Sequence, residues 1–424
     1  MQVANAFAHL IEQANRLQRR QRRIGDAGHG KQLLFYPVYD RASSSATPHA
    51  PCLPSARLRR YPDTGAVLRC YPGYGRMFAS DIGLGRTKSD ACVSLFQPTA
   101  PAPTHGSEPA LNFSIAAAMI MPWLVAIASF SLIARAAARR SYLLLMPCLP
   151  ILLSPYLIPV NHSLWRLLAA IGAVFLTIKI IDVWLDAKLR SAPNRREYLD
   201  FLTNPFSYVR RLLHREPRPS IKEDLWRLSK CTVGCALAIW TSTLLFAANW
   251  SESTFLTEHV VKVLIFMLIV ILGSSASAAL WRLFGGSARD YMDSPFAARN
   301  PADFWRRYNR NMYQFFWEDV FKPCGGRRAP VRIGLCVFAL SAVMHEFIFS
   351  SAVGRLQGYQ TAFFVLQGFA VAITARLKVK GLAAIPWMAG TLAFNLLSSV
   401  LFFASIHEVS PFYSRELPAW LHLP

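Results

Sequence analysis

Acidic side chains are scarce in this chain. Against 46 Lys and Arg there are 24 Asp and Glu, and all charged residues together make up 17% of 424 positions. A water-soluble protein of this size rarely manages with so few. Paired CxxC motifs and His/Cys clusters are also missing, although eight cysteines occur, at 52, 70, 92, 148, 231, 235, 324 and 336. Thiolate metal centres are therefore not expected. Cys231 and Cys235 share one face of an apolar run and read as small buried thiols. No long strand-like alternation is present, which argues against a membrane barrel. A serine or cysteine nucleophile elbow and an internal repeat are likewise lacking.

What the chain does have is apolar residues, 53% of the total. They gather into runs at about 112–134, 142–160, 164–186, 228–248, 260–281, 331–352, 360–377 and 382–405. About 20 helical residues cross roughly 30 Å of hydrocarbon, and backbone in lipid must satisfy its own hydrogen bonds. The expectation is an all-α polytopic membrane protein with about eight transmembrane helices plus cytoplasmic interfacial helices.

The formal charge of +22 would suit a nucleic-acid partner. The basic residues instead sit in a tail and in loops. Arg135, Arg139 and Arg140 follow the first run, and residues 187–227, 282–330 and 378–380 carry most of the others. The alternate loops NHSLW, NWSESTFLTEH and GRLQGYQ are nearly free of positive charge. Positive-inside bias then puts the basic loops in the cytoplasm and both termini outside, with membrane lipids as partners and no nucleic acid.

Residues 1–110 differ from the rest. They are rich in Pro, Ser, Gly and Arg and show no sustained periodicity, a composition that predicts disorder. The leading MQVANAFAHLIEQANRLQRRQRR could form a basic amphipathic helix but lacks the apolar core of a secretory signal. The expectation is a dispensable extension, or a start placed too far upstream of Met119 or Met121. A membrane-surface or targeting arm is the alternative. Residues 111–424 form the transmembrane domain.

Between the fifth and sixth runs lies DFWRRYNRNMYQFFWED, residues 303–319. At 100° per residue, Phe304, Trp305, Tyr308, Asn309, Met312, Phe315, Phe316 and Val320 fall in one sector, with Arg306, Arg307, Arg310, Gln314 and Glu318 opposite. The pattern predicts one amphipathic helix at the cytoplasmic interface, with Asp303 as its cap and Pro323 and Gly325–Gly326 as its end. Asp319 also falls in the apolar sector, where fraying of the last turn would bring it to water. Asn309 sits mid-helix on the apolar face, where an unpaired amide is costly. Asn311, at the sector edge, calls for no special account.

The next run, VRIGLCVFALSAVMHEFIFSSAVG, holds His345 and Glu346 deep inside an apolar helix. Ionisable groups at that depth usually face a cavity or a partner. Ser341 and Ala342, a turn earlier and small, leave room for a substrate or for close helix packing. A neutral imidazole is suited to act as general base toward a hydroxyl. The plain alternative is a structural histidine bonding across helices.

DFWRRYN followed about 35 residues later by an intramembrane HE resembles the membrane-bound O-acyltransferase (MBOAT) family, closest to its wax-synthase-like branch. The matching positions are Asp303, Phe304, Trp305, Arg307, Asn309 and His345, and EDVFKP at 318–323 is similar to the segment beyond that block in the family. RRY stands where wax synthases often have GRRW, one residue shorter. The resemblance implies transfer of an acyl group from acyl-CoA, as co-substrate, to a hydroxyl-bearing lipid or small-alcohol acceptor. No permanently bound cofactor and no metal are expected. His345 would be the base and Asn309 the amide that meets the thioester oxygen or orients the acceptor. Trp305, Arg306, Arg307, Arg310 and Ser341 would line the substrate site, the arginines toward coenzyme A phosphates or toward lipid headgroups. Lys179 and Asp182, near the end of the third run, are expected to pair within the bundle, with lining the cavity as the alternative. The stretch 196–213, with its NPF turn, reads as structural. The competing function is a transporter or flippase that relays protons through His345 and Glu346.

Overall fold

The computed structural model describes residues 108–133, 145–189, 192–213, 218–377 and 379–421. The expected disordered extension lies almost wholly outside these, as do Arg135, Arg139, Arg140, Arg190, Arg215 and Lys378. All regular structure among the described residues is helical. The helices are α1 Glu108–Ala128, α2 Cys148–Leu153, α3 Ser163–Leu189, α4 Arg195–Thr203, α5 Ile221–Ala247 and α6 Phe255–Leu283. They continue with α7 Pro301–Arg307, α8 Arg310–Phe315, α9 Pro330–Val353, α10 Tyr359–Thr374 and α11 Ala384–Val409.

Six helical stretches are long and apolar enough to cross a membrane: 111–133, 163–187, 221–247, 255–283, 330–353 and 381–409. The chain is thus a polytopic helical membrane protein. At the other two apolar runs the structure has shorter helices, Cys148–Leu157 and Tyr359–Thr374. Ser154-Pro155 tightens the first into a 3₁₀ turn, since proline cannot donate to a continuing α-helix.

Helix α3 is the axis of the bundle. Two-thirds of its apolar stretch is buried, against 11% for α5. It packs on α1, α2 and α9, while α9 packs on α10 and α10 on α11. Helices α5 and α6 form an antiparallel hairpin. Polar clamps fix its open end: Arg282 near the end of α6 binds Asp224 in the first turn of α5 at 2.6 Å and Asp290 in the following loop at 3.1 Å. Arg227 also pairs with Asp290. Capping boxes start α4 (Asn194 with Glu197) and α5 (Ser220 with Glu223), each satisfying two otherwise orphaned N–H groups.

Lys179 and Asp182 both find partners within the bundle, though not each other. Lys179 Nζ reaches out of α3 to the carbonyls of Phe201 at 2.8 Å, Leu202 at 3.0 Å and Asn204. Asp182 accepts from the Arg210 N–H at 2.8 Å and from Arg211 at 3.1 Å. Both residues therefore rivet the 196–213 stretch to α3, because the last carbonyls of α4 have no partners of their own. The NPF turn is structural, as expected: Asn204 accepts from the Phe206 N–H at 2.8 Å and donates to the Ser287 carbonyl at 2.7 Å.

Candidate functional site

The 303–319 block is not one helix. Its cap is Asn300, whose side chain accepts from the Asp303 N–H at 2.8 Å, with Pro301 in the first turn where a missing N–H costs nothing. Helix α7 stops at Arg307. At Tyr308–Asn309 the backbone leaves helical geometry, and α8 begins afresh with Asn309 as its N-cap, accepting from the Met312 N–H at 3.0 Å. The Tyr291–Asp293 loop holds the break, since Arg310 N–H donates to the Tyr291 carbonyl and Asp293 N–H to the Arg307 carbonyl, each at 2.9 Å. From Phe316 to Phe321 the chain widens into a π-helical turn. The helical wheel that put Asn309 in mid-helix assumed one uninterrupted screw, and each interruption rotates the residues C-terminal to it.

That rotation explains Asp319. It does not reach water but is buried at 3% side-chain exposure, bound to Arg211 at 2.6 Å and beside Asp182. Burial pushes its carboxyl above the ordinary range, although Asp182 and Arg211 pull the other way.

The arginines of α7 are largely engaged within the block. Asp303 holds Arg306 at 2.5 Å and Arg307 at 3.0 Å. Arg306 is still half exposed. Asn309 faces a different neighbour from the expected one. Its side chain meets the Tyr291 hydroxyl, which also bonds to Tyr208, and among the described residues it makes no hydrogen bond to His345. Burial pushes the Tyr291 phenol well up.

His345 lies in the middle of α9, partly buried. Its Nδ1 is 2.9 Å from the Ser341 carbonyl. A carbonyl can only accept, so Nδ1 carries the proton and the lone pair of the neutral ring lies on Nε2. Nε2 has no hydrogen-bond partner among the described residues. The ring packs on Phe364 of α10 with centroids 4.3 Å apart and on Phe402 of α11 at 6.2 Å. Ser341 contributes its backbone and a small, buried side chain.

Trp305 ties the block to this centre. It packs 5.8 Å from Phe364, the same ring that covers His345, and 5.6 Å from Phe338 of α9. Its indole N–H donates to Gln367 Oε1 at 2.9 Å, and Gln367 in turn donates to Ser398 at 2.8 Å. The structure therefore brings Trp305 and His345 to one aromatic cluster built by α7, α9, α10 and α11. Asn309 and Arg307 instead meet the 284–300 loop, at Tyr291 and at the Asp293 carbonyl. Phe364, Gln367 and Phe402 escaped the sequence reading. Only Gln367, a lone amide in the apolar run FFVLQGF, carried a visible signal.

Glu346, next to His345 in sequence, points elsewhere. One carboxylate oxygen accepts from Gln357 N–H at 3.0 Å, Gly358 N–H at 2.6 Å and Ser350 Oγ at 3.1 Å. The other accepts from Thr361 N–H at 3.0 Å and Oγ1 at 3.1 Å. It closes the α9–α10 turn, in which Gly354 and Gly358 both adopt positive φ (78° and 79°) that side chains disfavour.

A groove of about 460 Å³ opens between α7, α10 and α11, lined by Pro301, Ile373, Trp387, Thr391 and Phe394. Its size falls within the roughly 300–1,000 Å³ usual for ligand sites, and its walls are almost wholly apolar. No group of three or more potential metal-ligating side chains occurs among the described residues. No protein-family model matches the chain, and no curated protein shows significant similarity to it.

Proposed function

We propose that the protein transfers an acyl group from acyl-CoA to the hydroxyl of a lipid or small-alcohol acceptor, with His345 as general base. The observation that carries this reading is the imidazole itself. It is fixed by the Ser341 carbonyl in the tautomer that leaves Nε2 basic, and it is set among aromatic rings inside a membrane helix. Nε2 accepts the acceptor's hydroxyl proton as the oxygen attacks the thioester carbonyl carbon. The C–S bond breaks, and the proton passes from the imidazolium to the departing thiolate, leaving an ester and free coenzyme A. Trp305 and Phe364 form an apolar wall beside the ring that excludes water, the competing acceptor. The apolar groove between α10 and α11 suits a hydrocarbon chain.

The resemblance of Asp303–Asn309 and His345 to the wax-synthase-like acyltransferases points the same way. In this reading the basic loops face the cytoplasm, where acyl-CoA arrives. Asp303 already holds Arg306 and Arg307, and of these two Arg306 is the more exposed, at 52% against 26%. The transporter reading needs Glu346 as a partner in proton relay, and five donors already occupy that carboxylate.

The test is lipid product analysis of membranes given labelled acyl-CoA and an alcohol mixture. Wild-type protein yields labelled ester, and His345→Ala at equal protein level yields none. Equal ester from both would remove His345 as the base.

A further inference from the structure

At the end of the bundle away from the 303–319 block, one buried cation has no anion. Arg166 stands in the first turn of α3 and is 5% exposed. Among the described residues its guanidinium makes no hydrogen bond and no ion pair, and Nε is sealed from solvent. Its one charge-type contact is the face of Tyr156, with 5.2 Å from the guanidinium carbon to the ring centre. A buried charge without a partner is costly. The N-terminus of a helix is already positive, which makes a cation there costlier still.

Contacts define the surroundings of this group. A Cβ on Gly354, in the α9–α10 turn, would stand 3.8 Å from Arg166 Nη1 and 2.8 Å from Val160. The Tyr156 hydroxyl accepts from Ser351, in the last turn of α9, at 3.1 Å, and donates to none of the described residues. The end of α11 joins the same corner, where the Val409 carbonyl accepts from Ser163 Oγ at 3.0 Å. Neither carboxylate of the helices that meet there is available. Glu346 already serves five donors, and Glu408 binds Arg355 at 2.7 Å. Gln357, three residues beyond Gly354 in the turn, is 6% exposed with both amide atoms unpaired. Nearly all buried polar side chains are paired, so two exceptions at one corner mark a place for a further group.

The surface around the corner is apolar. Leu157, Val160, Leu164, Trp165 and Leu168 are each about half exposed. The last three share the outer face of α3, inside a stretch long and apolar enough to cross a membrane. Trp165 is of the residue type enriched where such helices meet the headgroup layer.

We infer that Arg166 binds the phosphate of an anionic phospholipid whose chains lie along the outer face of α3. The guanidinium fork matches two phosphate oxygens. Tyr156, with its ring against that fork, still has a hydroxyl proton to donate. A glycerophospholipid brings the missing anion and the hydrocarbon in one molecule, and its phosphate lies at the depth where a membrane helix begins. The site is apart from His345 and does not depend on the acyl-transfer reading.

The experiment uses the full chain in a neutral detergent, with dioleoylphosphatidylglycerol, dioleoylglycerol, oleate and inorganic phosphate as probes. Phosphatidylglycerol raises the wild-type melting temperature more than dioleoylglycerol, which has the same chains without the phosphate. Arg166→Met loses that excess, and titration shows phosphatidylglycerol bound about 10- to 100-fold more weakly. The lipid-free variant melts at the wild-type temperature or above, because hydrocarbon in place of an unpaired buried cation is neutral or stabilising. Arg166→Lys, which keeps the charge without the fork, retains only part of the excess and serves should methionine fold poorly. No excess in wild type, or an excess kept in full by both variants, overturns the inference. An equal rise with inorganic phosphate assigns the corner to a soluble anion, and an equal rise with oleate assigns it to a carboxylate. Either result removes the phospholipid.

Discussion

Replacing Glu346 by alanine removes the only side-chain acceptor closing the α9–α10 turn. Three backbone N–H groups, of Gln357, Gly358 and Thr361, lose their partner together with two hydroxyls. A hydrogen bond to a charged group contributes about 1.5–3 kcal/mol net, and the hydroxyls can turn to other acceptors while the N–H groups cannot. Loss of a helix N-cap alone costs about 0.5–2 kcal/mol. Since the bonds share one carboxylate and do not add, a loss of about 4 kcal/mol is expected. That is a large part of the roughly 5–15 kcal/mol by which proteins are stable. Glu346→Gln keeps one acceptor oxygen and offers a misplaced NH₂, so about half the loss is expected. The assay is thermal denaturation of detergent-extracted protein, followed by the fraction that stays monodisperse. Both variants should lose folded protein in the order Gln, then Ala. A proton-relay role predicts the opposite pattern, with Glu346→Gln fully folded and only proton coupling lost. Glu346→Ala within about 0.5 kcal/mol of wild type would refute the capping argument.

Other outcomes rest on the same geometry. Burial would raise the Asp303 carboxyl, but Arg306, the Arg299 N–H and Arg307 together hold it below the usual carboxylate value. A depressed folded-state value adds stability above the unfolded value of about 3.9 and loses it as pH falls through the folded one. Melting curves of wild type and Asp303→Asn should therefore differ at pH 7 and converge below about pH 4. Trp305→Phe keeps the ring packing but leaves Gln367 Oε1 unpaired, so about 1–3 kcal/mol should be lost, read as a lower melting temperature. Lys179→Met strips a shared donor from the carbonyls of Phe201, Leu202 and Asn204 and should expose the 201–209 segment to limited proteolysis. His345→Ala should abolish ester formation and also lower the melting temperature, because the lost ring leaves a void against Phe364 and Phe402. His345→Gln, which fills more of that space, should lose the ester with a smaller fall in melting temperature.

The sequence made the helical membrane class and the apolar runs legible, since length and hydropathy alone govern what can cross hydrocarbon. It also marked His345, an imidazole within an apolar run, and Trp305, on the apolar sector of the 303–319 block. Side-chain direction was harder to see. One wheel drawn from 303 to 320 cannot register a restart at Asn309 or a π-helical turn after Phe315. It therefore put Asn309 in mid-helix and Asn311 at the sector edge, where the structure makes Asn309 a cap and buries Asn311, and it sent Asp319 to solvent. Pairing of Lys179 and Asp182 within the bundle was legible from two charges in an apolar run. Their partners are the carbonyls, N–H and guanidinium of a distant segment, which sequence proximity does not reveal. Glu346 was read with His345 because the two are adjacent, yet neighbours on a helix stand about 100° apart and serve different partners.

Helix α10 has 16 residues. At 1.5 Å per residue it is about 24 Å long, about 6 Å less than a typical hydrocarbon core. To cross a membrane, such a helix would need lipid beside it to compress, or its polar flanks to sink, at a cost of a fraction of a kcal/mol per ångström. The same helix carries Phe364 against His345 and borders the apolar groove. A bilayer thinned to match so short a helix would carry its headgroup layer closer to the depth of that imidazole than the longer helices do.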